Sequence, residues 1–154
     1  MSERDVTHST FTLERVYPAN RSRVFAAWAD PAAKAQWFAG PNGDYELDFR
    51  VGGRELARGR PEGGPVLTFE SRYHDIVVDE RIVFSSTMTA AGQDVCTVSV
   101  TTVELHPEGE STRLVLTQQG AYLDGHEDPA WREQGTGAQL DALAEQLGNT
   151  SSDA

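Results

Sequence analysis

Residues 129–147 read PAWREQGTGAQLDALAEQL, and this stretch decides the fold. Leu140, Leu143, Ala144 and Leu147 fall at the i, i+3, i+4, i+7 spacing of a buried helical face. Followed toward the N-terminus, the same stripe passes through Gly137, Thr136 and Glu133, where it turns small and polar. A helix with core beneath its whole length stays apolar throughout. One that is apolar at one end and small and polar at the other has core under one half and space under the other. Gly148 is placed to end the helix, leaving 149–154 as a polar, flexible tail.

Before this helix the period changes from helical to about two. Residues 66–78 and 81–89 read as a strand pair turning at Asp79-Glu80, and 94–105 and 112–121 as a second pair. Tyr45, Leu47 and Phe49 alternate with Glu46, Asp48 and Arg50, and Gly52-Gly53 breaks the chain before a weak, polar strand over 55–60 near a sheet edge. Pro61–Pro65 is a loop, and Ala91-Gly92-Gln93 a turn. Cys96, Val98 and Val100 alternate out of phase with Val103 and Leu105, which predicts a β-bulge near Thr101-Thr102.

Further upstream, Phe11, Leu13, Val16 and Tyr17 form a first strand ended by Pro18, with 1–7 polar and flexible. Asn20 caps a short helix carrying Val24, Phe25 and Trp28, because its side chain accepts from an amide of the first turn. Asp30-Pro31 opens a second helix, with Asp at the cap and Pro where its missing N–H costs nothing. That helix carries Ala33 and Trp37 on one face with Phe38 beside it, and Gly40-Pro41 stops it. The order is strand, two short helices, about six antiparallel strands and a long helix. Strands in a run with helices segregated from them mean α+β: a curved antiparallel sheet around one long C-terminal helix, with the short helices closing one end. One domain over 8–148 accounts for the chain.

Acidic residues outnumber basic ones by 24 to 13, giving a formal charge of -11. Nucleic-acid binding and docking on anionic membranes are disfavoured, since both neutralise phosphates with clustered Lys and Arg. No apolar run approaches membrane-spanning length, and MSERDVTHST has no apolar stretch of a signal peptide. Cys96 is the single cysteine, in an apolar alternating segment, so it reads as a buried inert thiol of a reducing, cytoplasmic compartment. The four histidines are scattered, with no i+3 or i+4 pair to start a metal site, and no phosphate loop opens a helix; neither metal nor cofactor is expected.

The segment from Arg23 to Pro41, RVFAAWADPAAKAQWFAGP, resembles the signature of the activator of Hsp90 ATPase homologue-like family. The elements that carry the likeness are Phe25, Trp28, Asp30-Pro31, Trp37-Phe38 and Pro41. Tyr73–Ile76 with Asp79–Phe84, Thr112–Thr117, and Glu133–Gly135 with Leu140–Leu143 resemble its central hairpin, last strand and final helix. The resemblance implies the START-like (SRPBCC), birch-pollen-allergen-like helix-grip fold. It also implies frequent dimers, so a homodimer is an expectation. Members usually carry Trp where this chain has Thr136, and often His where it has Arg132. The chaperone activator has an additional N-terminal domain for which 154 residues leave no room, so a chaperone partner is not expected.

The candidate site lies between sheet and helix. Trp28, Trp37, Phe38, Phe69, Tyr73, Phe84 and Met88 are positioned to line a cavity, although core packing also explains them. Tyr73 adds a hydroxyl and Gln118 an amide in phase with inward Leu114 and Leu116. On the helix the candidates are Glu133, Thr136 and Gly137. An enzyme would need an acid or base, for which Glu133, Tyr73 and Gln118 are the candidates; Glu133 would be the general base, against the plainer reading of a surface glutamate near a helix start. Two functions follow: a carrier of a small apolar or amphipathic molecule, or a polyketide cyclase- or aromatase-like enzyme in the same cavity. A chaperone-directed interaction module is a third.

Overall fold

The computed structural model describes residues 4–40, 43–59, 65–91 and 95–151. Strand β1 (Val6–Tyr17) leads into helix α1 (Arg21–Ala29) and helix α2 (Pro31–Lys34), which continues as a π-helical turn over Ala35–Ala39. Then come β2 (Asp44–Leu47), β3 (Arg54–Gly59), β4 (Leu67–Val77), β5 (Arg81–Ala90), β6 (Val95–Glu108), β7 (Ser111–Leu123) and helix α3 (Pro129–Ser151). The seven strands form one antiparallel sheet in the order β1-β7-β6-β5-β4-β3-β2. The sheet curves around α3, and this is the expected α+β helix-grip fold. Pro41, most of the loop over 61–65 and the turn at 92–93 lie outside the described residues.

The caps form as their chemistry requires. Asn20 accepts from the Arg23 amide at 2.9 Å, and Asp30 from the Ala33 amide at 2.9 Å with Pro31 following. Gly40 then ends the π turn at φ +81°, where an L side chain would be strained. Gly53 closes the break before β3 because a Cβ there would come within 2.0 Å of the Asp48 carbonyl oxygen.

Leu140, Leu143 and Leu147 are all buried in the core, and Ala144 packs on it. Strand β1 grips the same helix with polar contacts. Tyr17 donates to the Leu140 carbonyl at 3.0 Å, and Arg15 pairs with Asp141 at 3.0 Å. Arg23 donates to the Leu147 carbonyl at 2.7 Å. Helix α3 runs through Gly148 to Ser151, and Gly148 lacks the left-handed φ that would end it. Strand β1 starts at Val6, paired with Leu123, slightly earlier than the sequence pattern suggests.

The bulge predicted near Thr101-Thr102 is not there. The β6–β7 register is unbroken from Thr97↔Tyr122 to Glu108↔Ser111. The shifts lie elsewhere: Cys96 on β6 is passed over between Met88↔Thr97 and Thr89↔Val95, and His74 on β4 between Tyr73↔Phe84 and Asp75↔Val83. Thr97, Ser99, Thr101, Val103 and Leu105 all point inward in one phase, while Val98 and Val100 face out at 43% and 41% exposure. The sequence pattern assigned the valines to the interior because they are apolar. Here the inward face of β6 is polar from Thr97 to Thr101 and turns apolar at Val103 and Leu105.

Candidate functional site

Beneath the first half of α3 lies a cavity of about 290 Å³. One end is aromatic. Trp28 comes from α1, Trp37 and Phe38 from the π turn, Phe69 from β4, and Phe84 and Met88 from β5. These rings hold one another: Trp28 and Trp37 meet edge-on at 4.8 Å and Trp37 and Phe38 at 5.8 Å, while Phe38 and Phe69 are tilted at 5.7 Å. The Trp37 indole donates to the Ala27 carbonyl at 2.9 Å, and Gln139 on α3 donates to the Phe38 carbonyl at 2.9 Å. Lys34, Trp37 and Phe38, at i, i+3 and i+4 across the start of the π turn, share the inward face.

The other end is polar. Thr101 on β6, Gln118 on β7, and Arg132 and Thr136 on α3 line it, with Glu127 from the loop before α3. Arg132 grips Glu127 through two bonds of 2.8 Å, and Thr97 donates to the same carboxylate at 2.5 Å. The guanidinium also stands over the Phe69 ring at 5.8 Å. The mouth is rimmed by exposed Arg58, Gly59, Trp131 and Gly135.

Two buried polar atoms on the walls have no protein partner. The Trp28 indole N–H is a donor on a residue 2% exposed, and the Gln118 carbonyl oxygen an acceptor on a residue 4% exposed. Buried polar groups are nearly always hydrogen-bonded, so these two atoms, on residues at opposite ends of the lining, are exceptions.

Of the residues expected from the sequence, Trp28, Trp37, Phe38, Phe69, Phe84, Met88, Gln118 and Thr136 come together on this cavity. Tyr73, Gly137 and Glu133 do not. Tyr73 directs its hydroxyl to Lys34 Nζ at 3.3 Å, behind the aromatic wall. Gly137 packs on Arg15 and Leu13 of β1. Glu133 is exposed. The inner face steps back by fours from Leu140 to Thr136 to Arg132, so Arg132 takes the inward place that the stripe had assigned to Glu133. Glu127 is thus the carboxylate that lines the cavity, and both its oxygens are engaged.

Behind the aromatic wall sits a group that sequence reasoning missed. Lys34 and Glu55 are both 0% exposed and paired at 2.5 Å. Tyr45 also donates to Glu55. The Lys34 ammonium lies 4.5 Å from the Phe38 ring centre, 5.0 Å from Trp28 and 5.6 Å from Phe84. Burial lowers the Lys34 pKa, and the Glu55 charge opposes that. Tyr45 and Tyr73 are held well above the ordinary phenol range by burial first, then by the Glu55 charge. The readable signal was the spacing of Lys34 from Trp37 and Phe38, at i+3 and i+4. Glu55 gave none, because a carboxylate in a weak strand normally faces water.

Among the described residues no group of three or more His, Cys, Asp or Glu is placed to hold a metal ion. None of their helices is long and apolar enough to cross a membrane.

The sequence model of the "Activator of Hsp90 ATPase homolog 1-like protein" family matches residues 18–148, nearly the whole helix-grip domain. The chain belongs to this family. A crystal structure of a Rhizobium loti protein is similar at 46% identity and TM-score 0.87, covering 93% of this chain and 99% of that one. A Rhizobium leguminosarum protein is similar at 38% identity and TM-score 0.89, covering 95% and 98%. A Chromobacterium violaceum protein is similar at 28% identity and TM-score 0.76, covering 90% and 96%. Among curated proteins none matches the chain. The family fold is one that accommodates ligand binding or cyclase-like chemistry, and the fold alone does not choose between them.

Proposed function

We propose that this family member is a binding protein for a small, largely apolar molecule seated between sheet and α3. The observation that carries this reading is the pairing of an aromatic-walled cavity of about 290 Å³ with two buried, unpartnered polar atoms, on Trp28 and Gln118. The volume sits near the low end of the range for small-molecule sites, roughly 300–1,000 Å³. It suits one or two fused rings better than a long acyl chain. Thr136 supports the reading as well, since a bulky side chain there would project into this space.

The enzyme reading requires a group poised to move a proton. Glu127 is committed to Arg132 and Thr97, and Glu133 faces solvent. Binding without chemistry is therefore the favoured function. Mass spectrometry under native and then denaturing conditions, followed by titration with a library of one- and two-ring aromatic fragments, tests it. A co-purifying small molecule, or fragment binding at one saturable site, is expected. A bare mass together with no binder in the library would overturn it.

A further inference from the structure

The polar end of the cavity carries information about the guest. Along β7 the inward residues are Gln118, Gly120 and Tyr122, and facing them across the ladder on β6 are Thr101, Ser99 and Thr97. The Tyr122 ring folds back over Gly120, its hydroxyl 3.4 Å from where a Cβ would stand, which brings it beside Ser99. Ser99 Oγ and the Tyr122 hydroxyl are buried and unpartnered, as is the Gln118 oxygen. This corner is built of hydroxyls and an amide, of which Gln118 and Thr101 line the cavity while Thr97, Ser99 and Tyr122 lie in the adjoining part of the sheet. It contains neither an ammonium nor a carboxylate in want of a counter-ion.

The charges at the buried end are already matched, and the lining cation without an ion pair among the described residues, Arg58, stands at the exposed mouth. Arg132 is bound through two bonds to Glu127, and Lys34 to Glu55. An anionic group entering the buried end would meet no unpaired cation there, and a cationic one no uncommitted carboxylate. Either would lose its hydration without a compensating partner. A neutral guest avoids that loss. Gln118 presents an acceptor oxygen that needs an O–H or N–H, and Trp28 presents a donor that needs an oxygen. A hydroxyl both donates and accepts, and so does a hydroxyl accompanied by a carbonyl.

We propose that the guest is a neutral, hydroxyl-bearing one- or two-ring molecule, with its hydroxyl donated to Gln118 and its rings against Trp28, Trp37 and Phe84. This rests on the cavity-binding reading above and specifies its ligand class.

The test uses three probes of one shape: naphthalene, 2-naphthol and 2-naphthoate. Binding is measured by calorimetry and ligand-observed NMR at neutral pH, where the naphthol is uncharged. On the wild-type protein 2-naphthol should bind roughly three- to tenfold more tightly than naphthalene, the worth of one net hydrogen bond. It should bind 2-naphthoate at least about tenfold more weakly than 2-naphthol. In Gln118→Leu the naphthol should lose its advantage while naphthalene affinity stays within about twofold. The ranking on the wild-type protein needs no variant, so a Gln118→Leu protein that fails to fold does not shield the proposal. If 2-naphthoate binds as tightly as 2-naphthol, or if naphthalene matches it, the ligand class is wrong and cavity binding stands. If none of the three binds while the fragment library yields a binder, the ligand class is wrong and cavity binding stands; if the library yields none and the mass is bare, both fall.

Discussion

Replacing Lys34 by methionine, which keeps the length and removes the charge, should destabilise the protein by about 3–5 kcal/mol. The magnitude follows from the burial of the pair. Glu55 is 0% exposed, its partner ammonium is 2.5 Å away, and aromatic rings rather than water surround them. Removing the lysine leaves a buried carboxylate whose remaining support is the Tyr45 hydroxyl. In a domain of this size that cost lowers Tm by roughly 10 °C. Glu55→Gln alone strands the ammonium and should cost a similar amount. The double variant Lys34→Met/Glu55→Gln removes both charges and keeps an acceptor for Tyr45, so it should recover most of the loss. The coupling energy from the cycle should therefore exceed about 2 kcal/mol. Urea denaturation of the four proteins measures it. A Lys34→Met cost below about 1 kcal/mol, or single losses that simply add in the double variant, would refute the account of a dry, paired charge behind the cavity wall.

Alkaline pH probes the same interior. All 4 tyrosines have raised pKa values, each chiefly through burial. The unfolded chain releases their protons near pH 10 while the native state retains them, so stability present below pH 10 falls as pH rises further, by up to roughly 1.4 kcal/mol per tyrosine per pH unit. Tyrosinate absorbance should then appear together with loss of secondary structure, and a separate earlier titration would contradict the burial. Lys34 acts in the opposite sense: its lowered native pKa means the unfolded chain binds the extra proton, so its contribution rises with pH up to about 10.4. Thr136→Trp should fill the cavity, abolish fragment binding in titration calorimetry and leave far-ultraviolet circular dichroism unchanged. Glu133→Gln, at an exposed position, should change stability by less than about 0.5 kcal/mol and leave fragment affinity unaltered.

The fold was legible because its signals are local and periodic. The leucines of α3 keep one helical face, and Asn20 and Asp30-Pro31 announce their helices by capping chemistry that needs no tertiary partner. The aromatic wall was legible for the same reason. The site's polar half was not. Reading inwardness from apolarity fails where the buried face is itself polar, as at Thr97, Ser99 and Thr101, between which Val98 and Val100 face outward. The helix stripe was followed one residue astray at its polar end, where Arg132 rather than Glu133 turns inward. Lys34 and Glu55 lie 21 residues apart in sequence and meet only through the fold, so neither betrays the other in a linear pattern.

The central claim, that the cavity receives a small molecule through its unpartnered atoms, is tested most directly by the indole resonances of the 3 tryptophans in proton–nitrogen correlation NMR. The Trp28 indole N–H has no protein partner, the Trp37 indole donates to the Ala27 carbonyl, and Trp131 stands at the rim, 64% exposed. On saturation with a two-ring fragment carrying a hydroxyl for Gln118 and a carbonyl at its other end, the Trp28 resonance should move downfield as its proton gains an acceptor, while Trp37 stays nearly fixed. Shifts confined to Trp131 and surface amides, with Trp28 unmoved, would contradict the account.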